Sequence, residues 1–325
     1  MKNSRRRVLR LAGIAAALAA LPRPAGAQGY PSAPVRLIVG FPAGGPNDIL
    51  ARLTAQWLTQ RLGQPLVVEN RPGASGNIAT DAVVRAPADG HTLLLVGPAN
   101  AISASLYPGL AFNFLRDIAP VAGITREPLV MVVHPSVPAT TVAEFVAYAK
   151  REPGRIKLAS TGNGSSPHVS GELFKMLTGV EVAVVHYAGG GPALKAMIEG
   201  QAQVMFEPMS AAIAPIRSGE LRALAVTTIT RSPALSDVPP IADAVPGYEA
   251  SAVTGIGAPR STPGEIIDTL NAAINAAFAD PAMRARLADT GGAPLAGSPA
   301  EFGKLLGEET EKWARVVKFS GAKPD

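Results

Sequence analysis

The stretch VRLIVGFPAGGPNDILARLTAQWLTQRL, residues 35–62, contains a strand pattern, a glycine loop and a helix pattern in direct succession. Val35–Phe41 is a largely apolar run of strand length. From Asp48 to Leu62 the apolar side chains recur at helical spacing, and Ile49, Leu53 and Trp57, with Leu50, Leu58 and Leu62, share one side. Asp48 stands where a cap or first-turn acid belongs. Between the two lie Phe41, Pro42, Ala43, Gly44, Gly45, Pro46 and Asn47. Glycines let a backbone approach another group closely, and a helix start leaves N–H donors unpaired. At this point a phosphate, a carboxylate or the loop itself can be what those donors meet.

The strand–loop–helix pattern recurs. Pro65–Glu69, Thr92–Val96, Leu129–His134, Lys157–Ser160, Val182–Tyr187, Val204–Phe206 and Ala223–Thr227 read as strands. Thr141–Arg151, Pro167–Leu177, Pro192–Glu199 and Ala211–Ser218 read as helices between them. Apolar strands alternating with helices predict an α/β fold whose sheets are mostly parallel and covered on both faces. The tail from Thr262 onward is mainly helical, with a stripe of Ile266, Ile267, Leu270, Ile274 and Phe278, and Asp280-Pro281 separates two of its helices. In such folds ligands collect at the carboxyl ends of the strands.

Two more helix-start loops stand out. STGNGSSPH, residues 160–168, offers Thr161, Asn163, Gly164, Ser165, Ser166 and His168, with Ser166-Pro167 reading as cap and first helical residue. HYAGGGP, residues 186–192, brings Tyr187, Gly189, Gly190 and Gly191 to another helix start. Each alone is also what a tight capped connection looks like, and His168 and Tyr187 fit a structural role as well as a pocket. Together, three glycine-bearing helix starts with few charges suit an anion held by neutral dipoles. No G-x-x-x-x-G-K-[ST] occurs and no G-x-G-x-x-G follows a strand, so a carboxylate is favoured over a nucleotide phosphate. The four histidines show no metal-ligand spacing, cysteine is absent, and Gly73-Ala74-Ser75-Gly76-Asn77 fails the nucleophile-elbow pattern at its last position. Neither a metal, a cofactor nor enzyme chemistry is expected. Glu207, beside Val204–Phe206, either accepts from a ligand amine or hydroxyl or pairs structurally with a neighbour.

The first 27 residues have the order of an export signal: a basic start (MKNSRRRVLR), an apolar Leu11–Leu21, and Ala25-Gly26-Ala27 as a small-residue cleavage site. Either a general secretory or a twin-arginine route fits, and cleavage after Ala27 in the periplasm is expected. The leader holds six of the 30 basic residues and none of the 25 acidic ones, so the remainder carries 24 basic against 25 acidic side chains. That balance gives no basic surface for nucleic acid. Without cysteine, the exported chain relies on core burial and carries no disulfide.

FPAGGPNDILAR (41–52), VENRPGASGNIA (68–79), PADGHTLLL (87–95), STGNGSSPHVSGELF (160–174), HYAGGGPALKAMIEGQAQVMF (186–206), GELRALAVT (219–227), PGYEA (246–250) and GAPRSTPGEIIDTLN (257–271) resemble the substrate-binding proteins of tripartite tricarboxylate transporters, the TctC-like or Bug proteins. The resemblance runs in family order over nearly all the chain after the leader. It implies a two-lobed periplasmic binding protein: residues 28–126 and 251–325 as the first lobe, 127–250 as the second, and a ligand cleft between them. It further implies a receptor, expected to be a monomer, that hands a small organic carboxylate to integral-membrane transporter subunits; the alternatives are an exported enzyme acting on a carboxylate in the cleft and a ligand sensor for a signalling receptor. The carboxylate would be held by backbone and water at Phe41–Asp48, with contributions from Thr161–His168 and Tyr187–Gly191 across the cleft. The sequence departs from the family pattern at SAVTGIGAP (251–259), which lacks an aromatic, at Lys195-Ala196 and at His91. These departures bear on the far end of the ligand.

Overall fold

The computed structural model describes residues 29–289 and 291–324. The expected leader and its cleavage point lie outside the described residues. The chain begins with β1 (Val35–Val39), α1 (Pro46–Leu62), β2 (Leu66–Asn70), α2 (Asn77–Val84), β3 (Thr92–Val96), α3 (Pro98–Leu106), the one-turn α4 (Phe114–Asp117) and the 16-residue β4 (Ile118–Val133). It continues with α5 (Val142–Arg151), β5 (Lys157–Ser160), α6 (Ser166–Thr178), β6 (Ala183–His186), α7 (Gly190–Ile198), β7 (Val204–Pro208), α8 (Met209–Ser218) and β8 (Arg222–Val226). Then follow β9 (Ser251–Pro259), α9 (Gly264–Ala277), α10 (Pro281–Asp289), β10 (Ala293–Pro294) and α11 (Pro299–Ser320).

The main strand order is β2-β1-β3-β9-β4-β7-β5-β6, with β8 and β10 pairing with β4. β1 is parallel to β2 and β3, and β5 is parallel to β6 and β7. The carboxyl ends of β1, β2 and β3 therefore lie at one edge, and those of β5, β6 and β7 at another. The expectation of mostly parallel sheets stops at the middle. β9 runs antiparallel to β3 and β4, and β4 antiparallel to β7 and β8, so the sheet is mixed. The reason is the chain path. β4 carries the chain out of the first half and β9 brings it back, so the two pass in opposite directions. Along β4 the pairing changes from Pro128↔Ser251 to Leu129↔Pro208.

Helix α1 buries Leu50, Leu53 and Leu58 as expected, whereas Ile49 is 54 % exposed at the open first turn. Two helices belong to both halves. Near its start α11 places Phe302 and Leu306 against Ile38, Val96 and Val253; further along, Trp313, Val316 and Val317 join the core of Phe145, Phe174 and Phe206. Ile102 and Leu106 of α3 join that second core as well, although α3 leaves the first half's β3.

Candidate functional site

The loop 40–48 sits at the carboxyl end of β1. Gly45 caps α1 with extended backbone and Pro46 opens the helix, where a missing N–H costs nothing. Asp48 is buried, and it holds the loop. One carboxylate oxygen accepts from the Gly44 N–H and Arg52 Nε, each at 2.9 Å, and the other from Asn70 Nδ2 at 3.0 Å. Asn70 also donates to the Phe41 carbonyl at 3.0 Å, tying the loop to the end of β2. Asp48 thus acts on the loop, and the Gly44 N–H, expected among the anion donors, is already engaged. Among the described residues none pairs with the N–H groups of Ala43, Gly45 or Asn47. Pro42, Ala43 and Gly44 are exposed, and Phe41, Gly45 and Asn47 half-buried.

The Arg52 and Gly44 bonds are the main causes holding the Asp48 carboxyl down, from 3.8 to about 2. Its charge therefore adds stability above the ordinary carboxylate range, and that contribution fades as pH falls through that range toward about 2. Arg52 is more than half exposed and adds little. Asp48→Ala removes the acceptor of the Gly44 N–H and leaves the Asn70 amide only the Phe41 carbonyl, and a loss of about 2 kcal/mol is expected. Urea unfolding at pH 7 and pH 3 checks this: the gap between parent and variant should narrow at the lower pH.

Two further loops reach the same edge. Between β2 and α2, Ala74 and Ser75 adopt left-handed φ of 47° and 53°, a strain of the kind found at functional sites. Gly76 lies against Gly40 and the Phe41 ring, so close that a Cβ on Gly40 would stand 2.6 Å from the Gly76 Cα. Asn77 follows, with a buried Nδ2 that has no partner. After β3, Gly97 lies beside the Asn47 carboxamide, 3.7 Å from where a Cβ would be. The motif 68–79 carried the resemblance, but its side chains gave no sequence reason to expect Ser75 or Asn77 at the site. The usable signal was the Gly-x-x-Gly-Asn turn opening a helix.

At the other edge, the loop after β5 is largely self-bonded. Ser165, one residue before the expected Ser166, caps α6 by accepting from the His168 N–H at 3.3 Å, and it donates to the Gly162 carbonyl at 2.7 Å. His168 is buried beneath the loop. Its Nδ1 accepts from the Gly164 N–H at 3.0 Å, so the neutral ring carries its proton on Nε2. Burial first, then the nearby His186 and Lys175, push its pKa down to about 4. His168 therefore shapes the loop. Asn163 donates to the Lys323 carbonyl, while its Oδ1 is buried without a partner. Thr161 and Ser166 are half-buried.

The loop after β6 starts at Tyr187, whose N–H donates to the Ser160 carbonyl at 2.9 Å and whose side chain packs on the core of Ala193 and Met205. Gly189 caps α7 at φ 103°. Among the described residues the N–H groups of Gly190 and Gly191 have no partner. Glu207, at the end of β7, is 3 % exposed, and Oε1 lies 3.9 Å from where a Gly190 Cβ would be. Its Oε2 is buried with no hydrogen bond. Burial, then the Glu127 charge, push it up to about 8. Lys195 is exposed and pairs with Glu199 at 3.6 Å.

The two edges meet at the end of α3. Ser75 Oγ is 3.1 Å from the Tyr107 hydroxyl, and a Cβ on Gly164 would stand 2.4 Å from Leu106 Cδ2. Loops from both halves thus touch adjacent residues. Among the described residues no group of three or more His, Asp or Glu is placed to hold a metal, and no helix is long and apolar enough to cross a membrane.

Comparison with known proteins agrees with this architecture. A profile for the tripartite tricarboxylate transporter family receptor matches residues 50–321. Protein BugT of Bordetella pertussis is 37 % identical over 320 residues, covering 98 % of each chain. The structure of Rpa4515 from R. palustris with adipate is 38 % identical, with a TM-score of 0.81 over 91 % of this chain and 100 % of that one. That of MatC from Rhodopseudomonas palustris with bound malate is 34 % identical, with a TM-score of 0.76 over 89 % and 100 %. By sequence match and by fold, the chain belongs to the tripartite tricarboxylate transporter receptor family of solute-binding proteins.

Proposed function

We propose that the protein is a periplasmic receptor that captures a small mono- or dicarboxylate and passes it, unchanged, to integral-membrane transporter subunits. The observation carrying this reading is the set of unpaired N–H groups at Ala43, Gly45 and Asn47, presented at a helix start by an already satisfied Asp48. Such donors, aided by the helix dipole, bind a carboxylate without a counter-cation. The carboxylates seen with Rpa4515 and MatC support the ligand class. In this reading the receptor is an exported monomer cleaved after Ala27. Residues 28–126 with 251–325 form one lobe and 127–250 the other, and the cleft closes on the ligand. Pro42 lines the open side, and Asn77 joins the donors of the first lobe.

A thermal-shift screen of the exported chain against mono-, di- and tricarboxylates tests it. Some mono- or dicarboxylate should raise the unfolding temperature and be recovered intact by mass spectrometry. Scattering should give a smaller radius with that acid than without, since a ligand touching both lobes favours closure only through its differential contacts. No response to any carboxylate, or response to citrate alone, would overturn the reading.

A further inference from the structure

We propose that Glu207 is a specificity-determining residue that accepts a hydrogen bond from a hydroxyl or ammonium group on the ligand, so that the receptor prefers carboxylates substituted next to their far carboxyl group. The proposal rests on the carboxylate-receptor reading above and deepens it.

Three observations converge on Glu207. Its place is the first: β7 is parallel to β5, as is β6, so Glu207 ends its strand at the same edge as the loops Thr161–His168 and Tyr187–Gly191. The second is its contact with Gly190, 3.9 Å from Oε1 to the position of a Cβ, which sets the carboxyl beside the start of α7. Bonding is the third. Oε2 is buried and unpartnered. A structural acid at this depth is ordinarily met by a cation or by donors.

Among the described residues no cation pairs with Glu207, and three cations hold other acids. Lys312 binds Glu249 at 2.9 Å and Glu309 at 2.7 Å, and Arg126 lies 3.4 Å from Glu249. Lys175 holds Glu172 at 2.7 Å. The neighbour that Glu207 does have is another acid, Glu127, which accepts from the Ser210 hydroxyl at 3.0 Å where α8 begins. Glu127 is pushed up to about 7, chiefly by burial. Glu127 thus has a donor in Ser210, whereas Glu207 Oε2 is left without one.

A ligand reaching this edge meets unlike groups side by side: N–H donors at Gly190 and Gly191, and an acceptor at Glu207. A carboxylate end carrying a 2-hydroxyl or 2-ammonium satisfies both. An unsubstituted end satisfies only the first, and burying it beside Glu207 leaves the acceptor unmatched.

The test is calorimetric titration of the full exported chain with matched acids: succinate, malate and aspartate, then glutarate, 2-hydroxyglutarate and glutamate, then adipate and 2-aminoadipate. In the series that binds, a substituted acid should bind about tenfold tighter than its parent, the effect of one added hydrogen bond to a buried acceptor. Glu207→Gln should abolish an ammonium preference, and Glu207→Met both preferences, with the parent acid binding more tightly than to the native chain because no unmatched acceptor is buried beside it. Glu207→Met should also unfold at the same temperature as the native chain or higher, since an unpartnered buried polar group is replaced by an apolar one of similar size. If the unsubstituted parents bind as tightly as their derivatives, the proposal is overturned and the receptor reading stands. A lowered unfolding temperature in Glu207→Met with the ligand preference intact also overturns it, by making Glu207 structural. If no carboxylate binds at all, both readings fall.

Discussion

A Gly45→Leu receptor is expected to fold like its parent and to bind its carboxylate about a hundredfold more weakly or worse, because a carboxylate kept from its donors loses several kcal/mol. The backbone tolerates the change. Gly45 has φ −80° and ψ 171°, open to any residue, and a Cβ there would meet nothing closer than the Pro42 carbonyl oxygen at 3.5 Å. Replacing a cap glycine by leucine costs about 1 kcal/mol of helix stability at most. The ligand is affected far more, since the new side chain stands among the unpaired N–H groups of Ala43, Gly45 and Asn47. Gly44 provides the contrast. Its φ of +81° strains any side chain by about 1–2 kcal/mol, so a substitution there perturbs fold and site together. Titration of Gly45→Leu with the acid giving the largest thermal shift on the parent decides the matter. Unchanged affinity would remove the α1 start from the binding site.

Much of this was legible because periodicity reports burial. β3 and β5 have the expected bounds, and α1, α5 and α6 are placed within two residues at either end. β9 was missed for a reason visible in its packing. SAVTGIGAP reads as too glycine-rich for a strand, but a Cβ on Gly255 would stand 2.3 Å from the Phe302 ring and 2.4 Å from the Ala122 carbonyl oxygen. The glycines are there because α11 and β4 press on β9. The first half of β4 was missed similarly: Pro120, Gly123 and Pro128 hide its period, and its register shifts twice against β9. At the site, the backbone donors followed from glycine and helix-start chemistry. The engagement of Gly44 by Asp48, and of Gly164 by His168, did not, because each is a side chain folding back on its own loop. Sequence spacing allows that geometry without requiring it.

Trp313→Ala should lower the stability of the whole chain by about 3–5 kcal/mol, the usual range for emptying a buried aromatic site. Trp313 is 2 % exposed in the core of the second half, and its Nε1 donates to Glu309 Oε2 at 2.8 Å. Which interaction dominates can be separated. Trp313→Phe keeps most of the apolar burial and removes the N–H, while Glu309 retains Lys312 on its other oxygen at 2.7 Å, so a loss of about 1–2 kcal/mol is expected. The larger effect of alanine is therefore packing. Its consequence reaches beyond the local core, because α11 anchors Phe302 and Leu306 in one half and Trp313, Val316 and Val317 in the other. A helix shared in this way couples the halves, and urea unfolding of Trp313→Ala should remain a single transition shifted to lower denaturant with an unchanged slope. Two separated transitions, with one half surviving the loss of the other, would mean that α11 does not tie them. A single transition would mean that the two halves unfold as one cooperative unit through the helix they share.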